Sequence, residues 1–166
     1  MSNVEYESQQ PEKGHPPTGK WATFQLASET FALRVADVQE VLMPQPLTPV
    51  PLAPDYIVGL LNLRGQVMPA IDLRRRLRFA PREGERAGSL LVIRLQDHLV
   101  SLVVDEIGDV LELPGDDWRA PPETLAEQHR DFVFGICAHE SDGHHLVLGL
   151  RVESLSGEAD ASAGGR

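Results

Sequence analysis

Residues 59–69 read GLLNLRGQVMP, an apolar stretch interrupted by Arg64 and Gly65. On either side, IVGLLNL (57–63) and QVMPAI (66–71) have the branched apolar composition of buried strands. Pro69 has no N–H to give to a ladder, so it is expected near an edge or a bulge. An arginine in so apolar a segment is costly to dehydrate and calls for a partner. Asp72 then precedes LRRRL, where its carboxylate can accept the free N–H groups of a first helical turn.

Upstream, WATFQLA (21–27) alternates and is followed by a polar Ser28–Glu29 turn and TFALRV (30–35), a strand–turn–strand pattern. In VADVQEVL (35–42) the apolar positions Val35, Val38, Val41 and Leu42 fall on one helical face, which predicts a short helix. MPQPLTPVPLAP (43–54) carries five prolines and is extended or looped.

The second half repeats this order. A slide of 69 positions brings Phe24 onto Ile93, Leu26 onto Leu95, Leu33 onto Leu102, Val38 onto Ile107 and Val41 onto Val110. VADVQEVL is echoed by VDEIGDVL, and IVGLL (57–61) by VFGIC (133–137), with Gly59 meeting Gly135. LVLGL (146–150) and RVESL (151–155) close the half, after a polar, proline-containing loop at 112–131. Each copy alone, at roughly 65 residues, would bury a marginal core. The repeat therefore predicts one cooperative unit over about 21–156, with lobes of about 21–86 and 87–156 and a groove between them. Residues 1–20 and 157–166 (GEADASAGGR) are polar and aperiodic and read as a disordered leader and tail.

The formal net charge of −10 argues against nucleic acid, whose phosphates want a basic face. Residues 1–86 carry 10 basic and 10 acidic groups, and residues 87–166 carry 5 and 15, so the halves differ electrostatically. No run approaches the ~18 apolar residues of a membrane span, and no secretory signal is legible. A single cysteine, Cys137, fits a reduced cytoplasmic protein and reads as a packed core residue.

FALRVADVQEVL, TPVPLAPDYIVGLLNLRGQVMPAIDLRRRL and LVSLVVDEIGDVLEL together resemble the CheW-like domain family of chemotaxis coupling proteins. GLLNLRGQVMPAIDL follows the family pattern G-x-x-N-L-R-G-x-x-x-P-x-x-D-L. The resemblance covers about 21–156 and implies an all-β fold of two SH3-like five-stranded barrels on a shared core, with short helices. It implies a non-catalytic adaptor without cofactor, joining chemoreceptor cytoplasmic hairpins to the regulatory domain of a CheA-type histidine kinase. Such a protein is cytoplasmic, is recruited to membrane-bound receptor arrays and inserts into no membrane. The alternative is an adaptor of a non-flagellar pathway, type IV pilus twitching or surface sensing with cyclic-di-GMP output. The family often has Asp or Asn near Gly149, where this chain departs, so the last helix is expected to be short.

Glu40 and Arg64 are the candidate centre, with Val38, Val41, Gly59, Asn62 and Gly65 shaping the partner-binding surface. The positions matching Glu40 and Arg64 in the second half are Asp109 and Glu140, both acidic. A pair needed merely to close such a barrel would recur in both halves, which favours a role specific to the first. A buried structural pair is the competing reading. His139, Glu140, Asp142, His144 and His145 could suggest a metal, but the Ser-Asp-Gly signal reads as a solvated turn without cysteine ligands, so no metal is expected. No nucleophile elbow, phosphate loop or dinucleotide motif is present. The six arginines of LRRRLRFAPREGER (73–86) read first as a solvated face. Trp21 reads as core, and Trp118 equally as core or interface anchor.

Overall fold

The computed structural model describes residues 16, 18–84, 87–139 and 145–156. Strands β1 (Gly19–Leu26) and β2 (Glu29–Arg34) form the first hairpin. They are followed by β3 (Val38–Leu42), β4 (Ile57–Leu63), β5 (Gln66–Asp72) and the helical turn α1 (Leu73–Arg76). The second half gives β6 (Ser89–Leu95), β7 (His98–Val104), β8 (Glu106–Leu113) and the two-residue β9 (Trp118–Arg119). Then come α2 (Glu127–Arg130), β10 (Val133–His139), β11 (His145–Leu150) and a closing 3-10 turn, Val152–Leu155. Among the described residues no helix is long and apolar enough to cross a membrane.

The strands form two sheets, ordered β8-β1-β2-β11-β10-β9 (sheet A) and β3-β6-β7-β5-β4 (sheet B). The lobes are therefore not the contiguous halves 21–86 and 87–156. Each half keeps its first hairpin and gives its remaining strands to the other: β1–β2 receives β8 to β11, and β6–β7 receives β3 to β5. The exchange is reciprocal in detail. β8 meets β1 at Trp21↔Leu111 and Phe24↔Ile107, and β3 meets β6 at Leu90↔Leu42 and Ile93↔Val38, the same register 69 positions apart. β11 runs parallel to β2 with Gly149 beside Ala32, and β5 runs parallel to β7 with Ala70 beside Ser101.

The hairpins β1–β2 and β6–β7 are buried on both faces along their central residues, which explains the near-continuous apolar runs of SLLVIRL and HLVSLVV and the buried Thr23 between Ala22 and Phe24 in β1. Trp21 and Ala32 turn into the lumen of sheet A with Leu113, Trp118, Cys137 and Val147. Leu90, Val92 and Val103 turn into the lumen of sheet B with Leu61, Met68 and Ala70. The opposite faces, including Phe24, Phe31, Leu33, Leu91, Ile93 and Leu102, meet in one core between the sheets. That shared core holds 18 buried residues among those described, against six in each lumen, so the larger part of the apolar burial belongs to neither lobe alone.

Two local expectations fail for one physical reason. VADVQEVL is a 3-10 turn, Val35–Asp37, followed by a strand, and VDEIGDVL runs into β8. A β-bulge between Val38 and Glu40 inserts one unpaired residue, and its mate lies at the same place in the β1–β8 ladder. One extra residue turns strict alternation into the i, i+3 spacing of a helix. Pro69 lies inside β5 rather than at a sheet edge, but next to the bulge between Ile57 and Gly59 in the β4–β5 ladder, as the alternative expectation had it, and the ladder to β7 begins only at Ala70. Asp72 caps α1 as expected, accepting from Arg74 N at 3.0 Å. Register places Arg151, not Gly149, at the second equivalent of Asp72, and no side chain caps the closing turn there.

Trp21 and Trp118 lie 4.9 Å apart in the lumen of sheet A, so Trp118 is core and both report on one lobe. Because each sheet contains strands of both halves, tryptophan fluorescence and methyl NMR signals of Leu61 and Met68 in sheet B should lose native character at one denaturant midpoint. Cleavage of the backbone between residues 84 and 87 should leave the halves associated on gel filtration. Separated midpoints, or halves that part after cleavage, would contradict the exchanged topology.

Candidate partner-binding site

Arg64 is not in a buried strand. Arg64 (φ 51°) and Gly65 (φ 83°) are the two central residues of the β4–β5 hairpin, flanked by the pair Leu63↔Gln66. Two successive left-handed residues make a type I′ turn, whose twist matches that of the strands. Asn62 fixes it by accepting a hydrogen bond from Gly65 N on its Oδ1 at 3.1 Å. The guanidinium is thus carried out of the apolar segment at the tip, and the desolvation cost its sequence context suggested does not arise.

At the tip Arg64 meets Glu40 in a two-pronged ion pair, Nη2–Oε2 2.5 Å and Nη1–Oε1 3.3 Å. The side chains are 73% and 30% exposed. This contradicts the buried-pair reading. β3 and β4 are the two edges of sheet B, so the pair spans the gap between its edges over a lumen partly filled by Leu42, Leu47 and Leu63. Val41, beside Glu40, is 49% exposed, and Val67, across the ladder from Asn62, is 58% exposed. An exposed charged pair beside strands that also leave Val41 and Val67 exposed suits a protein contact.

The other candidates divide. Val41, Asn62 and Gly65 are exposed. Val38 is half-buried and packs on the shared core. Gly59 is buried and shapes no surface: a Cβ there would lie 2.8 Å from Thr48 O and 2.9 Å from Leu47 Cβ. Its bareness lets the proline-rich segment dock on β4, where Thr48 and Leu60 exchange backbone hydrogen bonds of 3.0 and 2.7 Å. Gly135 does the same for Arg119. In sheet A the Glu40 position is Asp109, whose carbonyl accepts from Thr23 Oγ1 at 2.6 Å. Glu140 lies outside the described residues, as do Asp142 and His144 of the metal candidate. Among the described residues no three His, Cys, Asp or Glu side chains are placed to share a metal. Cys137 is buried, which pushes its thiol up, and Asp117 adds to the effect.

The sequence reading missed Asp105. Its carboxylate, 17% exposed, accepts from Arg74 Nε and Nη2 (2.9 and 2.6 Å), from Arg82 Nε and Nη2 (3.0 and 2.9 Å) and from Ala27 N (2.7 Å). It sits where the chain passes from β7 in sheet B to β8 in sheet A, and its own N–H donates to Gln25 O. Three of the arginines, Arg74, Arg76 and Arg82, are therefore partly buried against the fold, while Arg75 and Arg78 stay exposed. Arg76 lies over the Tyr56 and Phe132 rings at 4.4 and 5.0 Å, and Arg75 donates to Asp55 O. The legible signal was a carboxylate at the end of the apolar strand LVSLVV, where burial demands a counter-charge.

Burial pushes the Asp105 carboxyl up, but the hydrogen bonds from Arg74, Ala27 and Arg82 outweigh it and hold the group below its ordinary value. A depressed carboxylate contributes stability that is full above its unfolded pKa, about 3.9, and is lost as pH falls through the folded value. The wild-type unfolding midpoint should therefore fall on acidification below about pH 4, and Asp105→Asn, less stable at neutral pH, should lack that component. Parallel acid limbs in the two proteins would remove the assignment. Arg64→Glu, at an exposed pair, should move the neutral midpoint little, whereas Gly65→Ala should cost about 1–2 kcal/mol for its left-handed turn position.

A family model described as the CheW-like domain matches residues 20–160. The chain is 30% identical over 132 residues to a chemotaxis protein CheW of Treponema pallidum, covering 77% of each chain. It is 31% identical over 117 residues to that of Rhizobium meliloti, covering 70% of this chain and 76% of that one. The crystal structure of scaffolding protein TtCheW from Thermoanaerobacter tengcongensis superposes with a TM-score of 0.73 at 26% identity, over 84% of this chain and 92% of that one. With its exchanged β-sheets and its NLRG turn, the chain belongs to the CheW-like domain family.

Proposed function

We propose that the chain is a non-catalytic chemotaxis adaptor that joins chemoreceptor cytoplasmic hairpins to the regulatory domain of a CheA-type histidine kinase. It works in the cytoplasm, recruited to membrane-bound receptor arrays. The observation that carries the reading is the exposed Glu40–Arg64 pair between the edges of sheet B, on strands that also expose Val41 and Val67. An exposed pair of this kind adds little to stability, so its two-pronged geometry at a strained turn has its use elsewhere. The relatives named chemotaxis protein CheW and the scaffolding protein TtCheW support the same reading. On it, Glu40 and Arg64 hold β3 and the NLRG turn in one relative orientation, and Val41, Asn62 and Gly65 complete the contact surface.

A double-mutant cycle tests this in affinity and in stability. Arg64→Glu should weaken binding to a kinase regulatory domain or a receptor hairpin while the unfolding midpoint barely moves. Glu40→Arg combined with Arg64→Glu should recover binding if the partner reads the orientation, and not if it reads the charges. Affinity unchanged by every variant would place the contact elsewhere on the molecule.

A further inference from the structure

The internal repeat provides two equivalent sites on the outer faces of the sheets, and among the described residues only one is filled by the chain itself. Register relates them: a residue of the first hairpin matches the residue 69 positions on, and one of β5 and α1 matches the residue 79 positions on. At the first site the chain leaving α1 folds back over sheet A. Leu77 is fully buried, and the Phe79 ring stands edge-on to Phe31 at 6.1 Å and stacks on His129 at 4.3 Å. Phe79 N is fixed by Arg74 O at 2.7 Å.

At the second site the match of Phe31 is Val100, and the match of Leu77 is Ser156. Through the Gly59–Gly135 alignment, Ala53 takes the place of His129, and the match of Phe79 falls outside the described residues. Two of the three filling side chains, Leu77 and His129, are thus replaced by small ones. In their place lies an open groove of about 530 Å³. Tyr56, Ile57, Pro69, Ile71, Leu95 and Val100 give it an apolar wall, and Gln96, Asp97 and Ser156 a polar lip.

We infer that this groove is a docking site for a partner protein segment presenting an apolar residue and, two positions on, an aromatic one, the Leu77–Phe79 arrangement supplied from another chain. The filled copy shows what the architecture accepts: a ring set over the Phe31 or Val100 position and an aliphatic side chain against the inter-sheet core. An aromatic anchor entering a preformed apolar pocket is the usual centre of a protein contact. Asp97 at the lip favours a basic flank, which the Leu-Arg-Phe order of the filled copy also has. The groove begins beside the NLRG turn, since Gln66 and Val67 line its near end, but its apolar wall is built by β5, the β6–β7 turn and the closing 3-10 turn, and the inference does not rest on the role proposed for the Glu40–Arg64 pair.

The probe is a synthetic peptide of residues 73–81, LRRRLRFAP, titrated into the full-length labelled chain and followed by amide NMR. The peptide should shift Gln96, His98, Val100 and Ser156. The same peptide with alanine for its phenylalanine has identical charge and should not. Ser156→Phe, which fills the groove from within, should abolish the shifts and leave the rest of the spectrum in place. Equal shifts from the alanine peptide would mean simple charge attraction to an acidic protein and would overturn the inference. So would no shift at the groove, as expected if residues 157–166 already occupy it, or shifts confined to Phe31 and His129, as expected if the peptide displaces its own copy.

Discussion

Burial of the two central hairpins on both faces is the constraint from which the rest of the structure follows. A strand pair that is apolar on one face needs one partner layer; β1–β2 and β6–β7 need two. The inner face is covered by strands borrowed from the other half, and the outer face by the other hairpin. Packing at this density leaves little freedom to the covering strands. Gly149 is bare because a Cβ would stand 2.3 Å from the Phe134 ring, and Gly59 and Gly135 because the crossing segments lie against them.

Apolar burial has no direction, so a core between two sheets does not by itself fix their angle. The polar groups supply the direction. Asp105 binds two guanidiniums from the sheet B side and a backbone N–H from the turn of the first hairpin in sheet A, each at hydrogen-bond distance. Arg76 reaches from α1 to the Ser154 carbonyl and the Phe132 ring. These contacts are enclosed, and they belong to the fold. Glu40–Arg64 lies in water at a turn tip, where the same chemistry contributes little to folding and is available to a partner.

Much of this was legible in the sequence because it is local. The Asp72 cap and the strand–turn–strand units follow from residue type and spacing, whereas the Glu40–Arg64 pairing, 24 positions apart, was reached from the need of an arginine in an apolar stretch for a counter-charge. The repeat was legible as well, but a repeat shows that two halves are alike and not which half a strand pairs with. Contiguous lobes were therefore the natural expectation, and exchange the outcome. The helix read over 35–42 failed because a bulge imitates helical spacing. Gly59 was taken for surface because a glycine's burial depends on what crosses it, here Leu47 and Thr48, a dozen positions upstream. The arginine run was read as solvated because its counter-charge, Asp105, lies 31 positions beyond Arg74.

The points that matter for binding are those where the two halves stop being alike. Exchange gives nearly every position a counterpart in an equivalent environment, so the counterpart is an internal control for what the architecture alone requires. Glu40 is matched by Asp109, yet Arg64 by the acidic Glu140, so a closing ion pair is not demanded by the barrel edge. Asp105 is matched by Ala36, so that carboxylate clasp is not demanded by the crossing between sheets. Leu77 and His129 are matched by Ser156 and Ala53, so a filled groove is not demanded by the outer face. Each departure removes from one half something the fold tolerates losing, and what remains is a charged turn on one lobe and an open apolar groove, asymmetric features on a symmetric frame. A frame with two of every site can give each to a different partner, because changing one copy leaves the packing of the other intact.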